Sequence, residues 1–140
     1  MITVLIAEDD FEIRATLKLV LDDANYPTLE ASNGQQALAI VRTAPQPLIV
    51  LLDIGMPFLD GLSLLHQVAQ QPELHRHAYI LLTGFHPTKY AVMADLMTQL
   101  QVQVVHKPFD IDRLLSVVQQ AETSLTANRQ ARDVLDYTKE

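Results

Sequence analysis

Apolar and polar positions follow two rhythms along the chain. Short runs with almost no polar interruption lie at residues 2–7, 48–52, 78–82 and 102–105, rich in Leu, Ile and Val. Such runs predict strands buried on both faces, and 28–31 is a fifth, shorter strand. Between them apolar residues recur at helical spacing. Ile13, Leu17, Val20 and Leu21 predict a helix over 11–24, and Ala37, Leu38 and Val41 one over 35–43. Leu62, Leu65, Val68 and Ala69 mark a third, ending near Gln71-Pro72. Val92, Met93, Leu96, Met97 and Leu100 mark a fourth, with Thr88 as its cap, and Leu114, Val118, Ala121 and Leu125 a fifth. Asp10 is placed to cap the first helix. Asn25-Tyr26-Pro27, Ser32-Asn33-Gly34, Ala44-Pro45-Gln46-Pro47 and Phe85-His86-Pro87 supply the breaks.

Five strands alternating with five helices predict an α/β fold: a doubly wound parallel sheet with helices on both faces and right-handed crossovers. In that topology the first and third strands end side by side, where sites form. Glu8 and Asp9 end the first strand, Asp53 the third, Thr83 the fourth and Lys107 the fifth. All five are expected on one rim. Residues 1–124 form one domain. Residues 125–140 are more polar and read as a helical extension or the start of a linker.

The 140 residues suit a single domain, and 49% hydrophobic with 19% charged residues fits a folded chain. A net charge of -7 without a Lys/Arg cluster weighs against direct nucleic-acid binding. The absence of cysteine removes disulfides, thiolate catalysis and zinc-thiolate sites. No apolar run is long enough to span a membrane, and Glu8-Asp9-Asp10 arrives too early for a signal-peptide core. A cytoplasmic location is expected.

Crowded carboxylates at the rim repel one another and call for a proton or a cation. An all-oxygen set suits a hard ion, Mg²⁺ first. A carboxylate beside such an ion can attack a phosphoryl group, with Lys107 stabilising the transferring oxygens and the Thr83 hydroxyl able to donate to them. Taken singly, Asp53 reads as a turn-starting strand cap, Lys107 as a solvated lysine and Thr83 as a turn residue. Their joint placement makes the site.

Four stretches in order, Glu8-Asp9-Asp10, Leu52-Asp53 through Pro57 to Asp60-Gly61, Thr83-Gly84 and Lys107-Pro108-Phe109, resemble the receiver domain of two-component response regulators, the chemotaxis regulators included. The resemblance covers about residues 2 to 124. It implies a flavodoxin-like sheet in strand order 2-1-3-4-5. It implies Asp53 as acceptor of a phosphoryl group from a histidine of a partner kinase or phosphotransfer protein. It implies Asp9 as a direct Mg²⁺ ligand, Glu8 as support partly through water, the Gly55 carbonyl as a third protein ligand, Thr83 as switch hydroxyl and Lys107 as phosphate partner. A cis Lys107-Pro108 bond, a downstream protein partner and pairing of two copies on activation are further implications. Phosphorylation is expected to shift the fourth helix, fifth strand and last helix between two surfaces.

Departures carry their own expectations. Val104 stands where the family usually has an aromatic switch residue, so output rests on backbone and helix movement. Leu100-Gln101-Val102-Gln103 replaces the usual Gly-Ala turn before strand five, and the stretch from Thr83 to Lys107 is about two residues long for the family. Gly55 and Phe85, two residues after Asp53 and Thr83, cannot position an attacking water, so the acyl phosphate is expected to persist. Gly55 also stands where aspartate-nucleophile phosphohydrolases carry a second Asp, which argues against an enzyme. A nucleotide- or flavin-binding domain lacks support, since no Gly-rich loop follows strand one. His75-Arg76-His77 reads as a surface loop. The stripe Met93, Leu96, Met97 and Leu100 reads as core. No output module follows, so the chain is either a stand-alone regulator, as Met1 directly before strand one suggests, or a part of a longer protein.

Overall fold

A computed structural model describes residues 2–84 and 87–138, with side chains over 2–84 and 94–128. Strands β1 (Thr3–Ala7), β2 (Thr28–Ala31), β3 (Leu48–Asp53), β4 (Ala78–Thr83) and β5 (Gln103–His106) form one parallel sheet in the order β2-β1-β3-β4-β5. Helices α1 (Phe11–Asp23), α2 (Gly34–Thr43), α3 (Gly61–Ala69), α4 (Pro87–Leu100) and α5 (Ile111–Thr138) connect and follow them. Residues 125–138 continue α5 without a break.

The strand alternation builds two cores. Leu48, Val50 and Leu52 of β3 face α2 and α3, where Leu38, Val41, Leu64, Leu65 and Val68 cover them. Ile49 and Leu51 face the opposite side, packed with Leu17 and Leu21 of α1 and Leu114, Val117 and Val118 of α5. Every residue of β3 is buried. That is why its sequence shows no polar alternation.

Helix ends follow from local chemistry. Asp10, Asn33 and Asp60 cap α1, α2 and α3, accepting from the N–H groups of Ile13, Gln36 and Ser63. Helix α1 ends in a Schellman turn, with the Tyr26 N–H on the Leu21 carbonyl and Asn25 at φ 67°. Helix α4 ends the same way: Val102 N–H donates to Met97 O, and Gln101 takes φ 55°. A glutamine thus occupies the left-handed position that glycine fills at lower cost. Val102 is used by this turn, so β5 begins at Gln103 and not, as predicted, at residue 102. The backbone of α4 runs unbroken to Leu100. The readings on Phe85, His86, the Thr88 cap, Val92, Met93 and the tail's apolar side chains lie outside the described residues.

One reading is corrected. His75-Arg76-His77 is not a surface loop. Pro72–Arg76 forms a 3-10 turn, and His77 is 4% exposed. Its Nδ1 accepts from the Leu48 N–H at 2.9 Å, and its Nε2 donates to the Val41 carbonyl at 2.9 Å. Both ring nitrogens are satisfied, so the ring can be buried without penalty. Burial and the neighbouring Arg76 charge hold its pKa below the ordinary histidine value, although the Val41 bond acts the other way.

Candidate functional site

The predicted rim is where the chemistry gathers. Glu8 and Asp9 directly follow β1, and Asp53 is the last residue of β3. One carboxylate oxygen from each lies within 4.8 Å of the other two. Lys107, directly after β5, donates through Nζ to Glu8 Oε1 at 3.2 Å and to Asp53 Oδ1 at 3.1 Å. Its backbone N–H donates to the Thr83 carbonyl at 2.7 Å, extending the β4–β5 ladder and fixing where the side chain starts. The Lys107-Pro108 bond is cis.

Exposure separates the acids. Glu8 is 1% exposed and Asp53 7%, whereas Asp9 is open to solvent. Burial, followed by the hydrogen bond and charge of Asp53, pushes Glu8 up to about 8, against the pull of Lys107. Burial alone would raise Asp53 too. The hydrogen bond from Glu8, the Lys107 ammonium and the Gly55 backbone N–H outweigh it and hold Asp53 below the usual carboxylate value. Lys107 is desolvated, yet Asp53 and Glu8 hold its pKa above the ordinary lysine value. Glu8 is thereby drawn toward its neutral form and Asp53 toward its ionised form, with the Lys107 ammonium between them. Glu8 Oε2 is buried and has no hydrogen-bond partner in the structure. Either a proton or a cation has to satisfy that oxygen. The donor set, all oxygen with one member open to solvent, fits a hard divalent ion.

The remaining predicted residues surround this cluster. Thr83 is buried at the end of β4, and its hydroxyl donates to the Gly84 carbonyl at 2.7 Å. Rotation about one side-chain bond would release it. Gly55 lies in the loop after Asp53, and a Cβ built there meets nothing within 4 Å. Gly61 is needed for space: its Cβ would sit 2.5 Å from the Asp53 carbonyl oxygen. Absence of that carbon lets α3 start directly beneath the acid.

Arg14 belongs to the site and was not singled out from sequence. Its Nη1 donates to the Glu8 carbonyl at 2.8 Å, its Nε pairs with Glu30 at 3.4 Å, and its guanidinium lies 5.6 Å from the Phe11 ring centre. Nothing in a lone helical arginine announces this. Phe11 and Phe58 are 72% and 80% exposed, and Phe58 has φ 66°. A shallow cleft along Glu12, Ile13, Thr16, Lys107, Pro108 and Phe109 borders the lysine.

Residues 4–119 match the family model described as response regulator receiver domain. Sporulation initiation phosphotransferase F of Bacillus subtilis is 33% identical over 115 residues, covering 82% of this chain and 89% of that protein. The DNA-binding transcriptional regulator NtrC of Salmonella typhimurium is 31% identical over 131 residues, covering 94% of this chain. This chain spans only 27% of that regulator's length. Among solved structures, the Francisella response regulator 1452 receiver domain superposes with TM-score 0.77 at 27% identity, covering 89% of this chain and 98% of that one. Vibrio cholerae chemotaxis protein CheY4 superposes with TM-score 0.72 at 26% identity, covering 86% and 98%.

Proposed function

The chain belongs to the response regulator receiver domain family of two-component signalling, and on that premise we propose that Asp53 accepts a phosphoryl group from a phosphohistidine of a partner protein. Members of this family act as phosphoryl-accepting switches, with histidine kinases or phosphotransfer proteins as donors. The observation that carries the reading is the Glu8, Asp9 and Asp53 cluster with Lys107 bridging two of its members.

In the proposed step an Asp53 carboxylate oxygen attacks phosphorus. A P–O bond forms, the P–N bond to the imidazole breaks, and the imidazole leaves with a proton. The depressed pKa of Asp53 keeps it ionised and ready to attack. Asp9, Asp53 and the Gly55 carbonyl would hold Mg²⁺, with Glu8 behind them. When bound, the ion neutralises the crowded acids and draws charge from the transferring oxygens. Lys107 already touches an Asp53 oxygen and supplies the second positive charge. After transfer, the added negative charge gives Lys107 and the Thr83 hydroxyl new partners. Thr83 would exchange its Gly84 bond for a phosphoryl oxygen, and the ends of β4 and β5 would close together.

The exposed Phe11, at the start of α1, and Phe58, in the loop after Asp53, suit a protein donor, which needs apolar contact around the reacting group. Output is proposed to pass to a downstream protein through the α4–β5–α5 side, with pairing of two copies on activation as one form of it. Val104 is half-buried in β5 and carries no ring to rotate, so the signal travels by backbone displacement. Phosphoryl turnover is not proposed, because Gly55 offers no acid/base group. Among the described residues no helix is long and apolar enough to cross a membrane, and a cytoplasmic location is proposed.

The test is incubation with acetyl phosphate and Mg²⁺ followed by intact mass, with Asp53→Asn alongside. One phosphoryl mass that needs Mg²⁺ and is missing from the variant is expected. No adduct and no donor consumption would reject the reading. Steady consumption without adduct would replace it with a phosphohydrolase.

A further inference from the structure

The loop after Asp53 is backed by the first turn of α2. A Cβ added at Gly34 would lie 1.8 Å from the carbonyl oxygen of Leu59, 2.6 Å from its carbonyl carbon and 2.8 Å from its Cβ. No glycine among the described residues has a positive φ. Gly34 is therefore required for space, not for backbone conformation. The contact is with main chain, so no side-chain rotation relieves it.

Leu59 has little freedom to retreat. Its N–H donates to the Pro57 carbonyl at 2.8 Å, and its side chain packs on the core. The next residue, Asp60, caps α3 through the Ser63 N–H at 2.7 Å. Gly61 donates to the Ile54 carbonyl at 3.2 Å and is pressed against the Asp53 carbonyl. A push at Leu59 thus reaches Pro57 on one side and, through Asp60 and Gly61, the backbone of Asp53 and of Ile54, the neighbour of Gly55, on the other.

We propose that Gly34 is a positioning residue for the acidic site. It lets α2 approach closely enough to fix the Gly55–Asp60 loop, and through it the Gly55 carbonyl, at the distance the cation requires. The proposal rests on the reading of the site as a Mg²⁺-dependent phosphoryl acceptor. Glycine is a poor helix residue and alanine the best one, so any loss in Gly34→Ala arises from the contact and not from helix propensity.

The test follows backbone amide resonances of Ile54, Gly55 and Gly61 during Mg²⁺ titration of the wild type, Gly34→Ala and Asn33→Ala. Asn33 caps the same helix end through the Gln36 N–H, so its removal weakens α2 without adding volume. Gly34→Ala is expected to displace the loop resonances before Mg²⁺ is added and to weaken Mg²⁺ binding about tenfold or more, the range for groups that orient metal ligands. Asn33→Ala is expected to leave the affinity unchanged. Wild-type affinity in Gly34→Ala, or an equal loss in Asn33→Ala, overturns the proposal. A wild type that binds no Mg²⁺ rejects the functional reading instead. The Mg²⁺-free resonances of Gly34→Ala then decide the positioning alone, displaced in its favour, unmoved against it. Should Gly34→Ala not fold, Leu59→Gly and the double variant Gly34→Ala/Leu59→Gly are compared by the same measurements: displaced loop resonances and weaker Mg²⁺ binding in the double variant than in Leu59→Gly support the proposal, and equal resonances and affinity overturn it.

Discussion

Replacing His77 should cost the fold more than a typical polar substitution, and the amount follows from its two bonds. The Leu48 N–H can only donate, so Nδ1 is bare and the ring proton sits on Nε2, aimed at the Val41 carbonyl. In His77→Leu the Leu48 N–H and the Val41 carbonyl both lose their partner. Each buried orphan costs about 1–3 kcal/mol, so a loss of roughly 2–6 kcal/mol is expected. His77→Asn keeps an acceptor toward Leu48 and should recover about half. Protonation acts like a milder mutation, since it places a second N–H against that of Leu48. The Tyr79 ring stands edge-on to the His77 ring at 6.3 Å between centroids, and Arg76 adds a like charge. The folded pKa is depressed below the ordinary 6.5. Below that pH the unfolded chain binds a proton that the folded chain refuses. Stability should be full above pH 6.5 and fall by up to about 1.4 kcal/mol per unit as pH drops toward the folded pKa. Urea unfolding followed by far-UV circular dichroism, at pH 7.5 and in steps to 5, measures both effects. Carboxylates titrate in the same range, so the informative quantity is the difference in slope between wild type and His77→Asn. A His77→Leu loss under about 0.5 kcal/mol, or equal slopes, would refute the argument.

Three further outcomes are expected. Mg²⁺ at ten times its Kd should stabilise the wild type by about 1.4 kcal/mol in thermal melts and Asp53→Asn much less, because the neutral amide removes a ligand charge. Gln101→Gly should stabilise the fold by about 0.5–1 kcal/mol in urea unfolding, since it relieves a left-handed glutamine at the α4 terminus. Once phosphorylated, the wild type should lose its phosphoryl group slowly, and Gly55→Asn should lose it faster by intact mass, because the space beside Gly55 admits a side chain able to orient water.

The rim was legible because its residues stand at or just beyond the ends of apolar runs, and strand ends are marked locally. Glu8-Asp9, Asp53, Thr83 and Lys107 needed only the order of elements to be brought together. What stayed hidden depends on contacts far apart in sequence. His77 reads as surface beside His75 and Arg76 until Leu48 and Val41, both distant along the chain, present a donor and an acceptor to its ring. The burial of Glu8 against the exposure of Asp9 depends on how Lys107 and Asp53 close over one of them. The strand-five boundary shifted because a Schellman turn claimed Val102, a competition between helix end and strand start that apolar patterning does not register.

His77 and the acidic site occupy opposite ends of the same strand pair. Strand β3 begins at Leu48, bound to His77, and ends at Asp53, while His77 directly precedes β4, which ends at Thr83. The ladder between these strands sets Asp53 opposite Leu82. At the acidic end it is held independently by the Ile54 N–H on the Leu82 carbonyl, and β4 is tied there to β5 by the Lys107 N–H on the Thr83 carbonyl. Weakening the His77 end should therefore lower the fraction folded without moving the reacting groups. Folded His77→Asn is expected to take up phosphoryl from acetyl phosphate at the wild-type rate per folded molecule, with the fraction folded taken from unfolding curves under the same conditions. A slower rate after that correction would mean that the strand pair transmits strain along its length, and that the two ends of the sheet act as one unit.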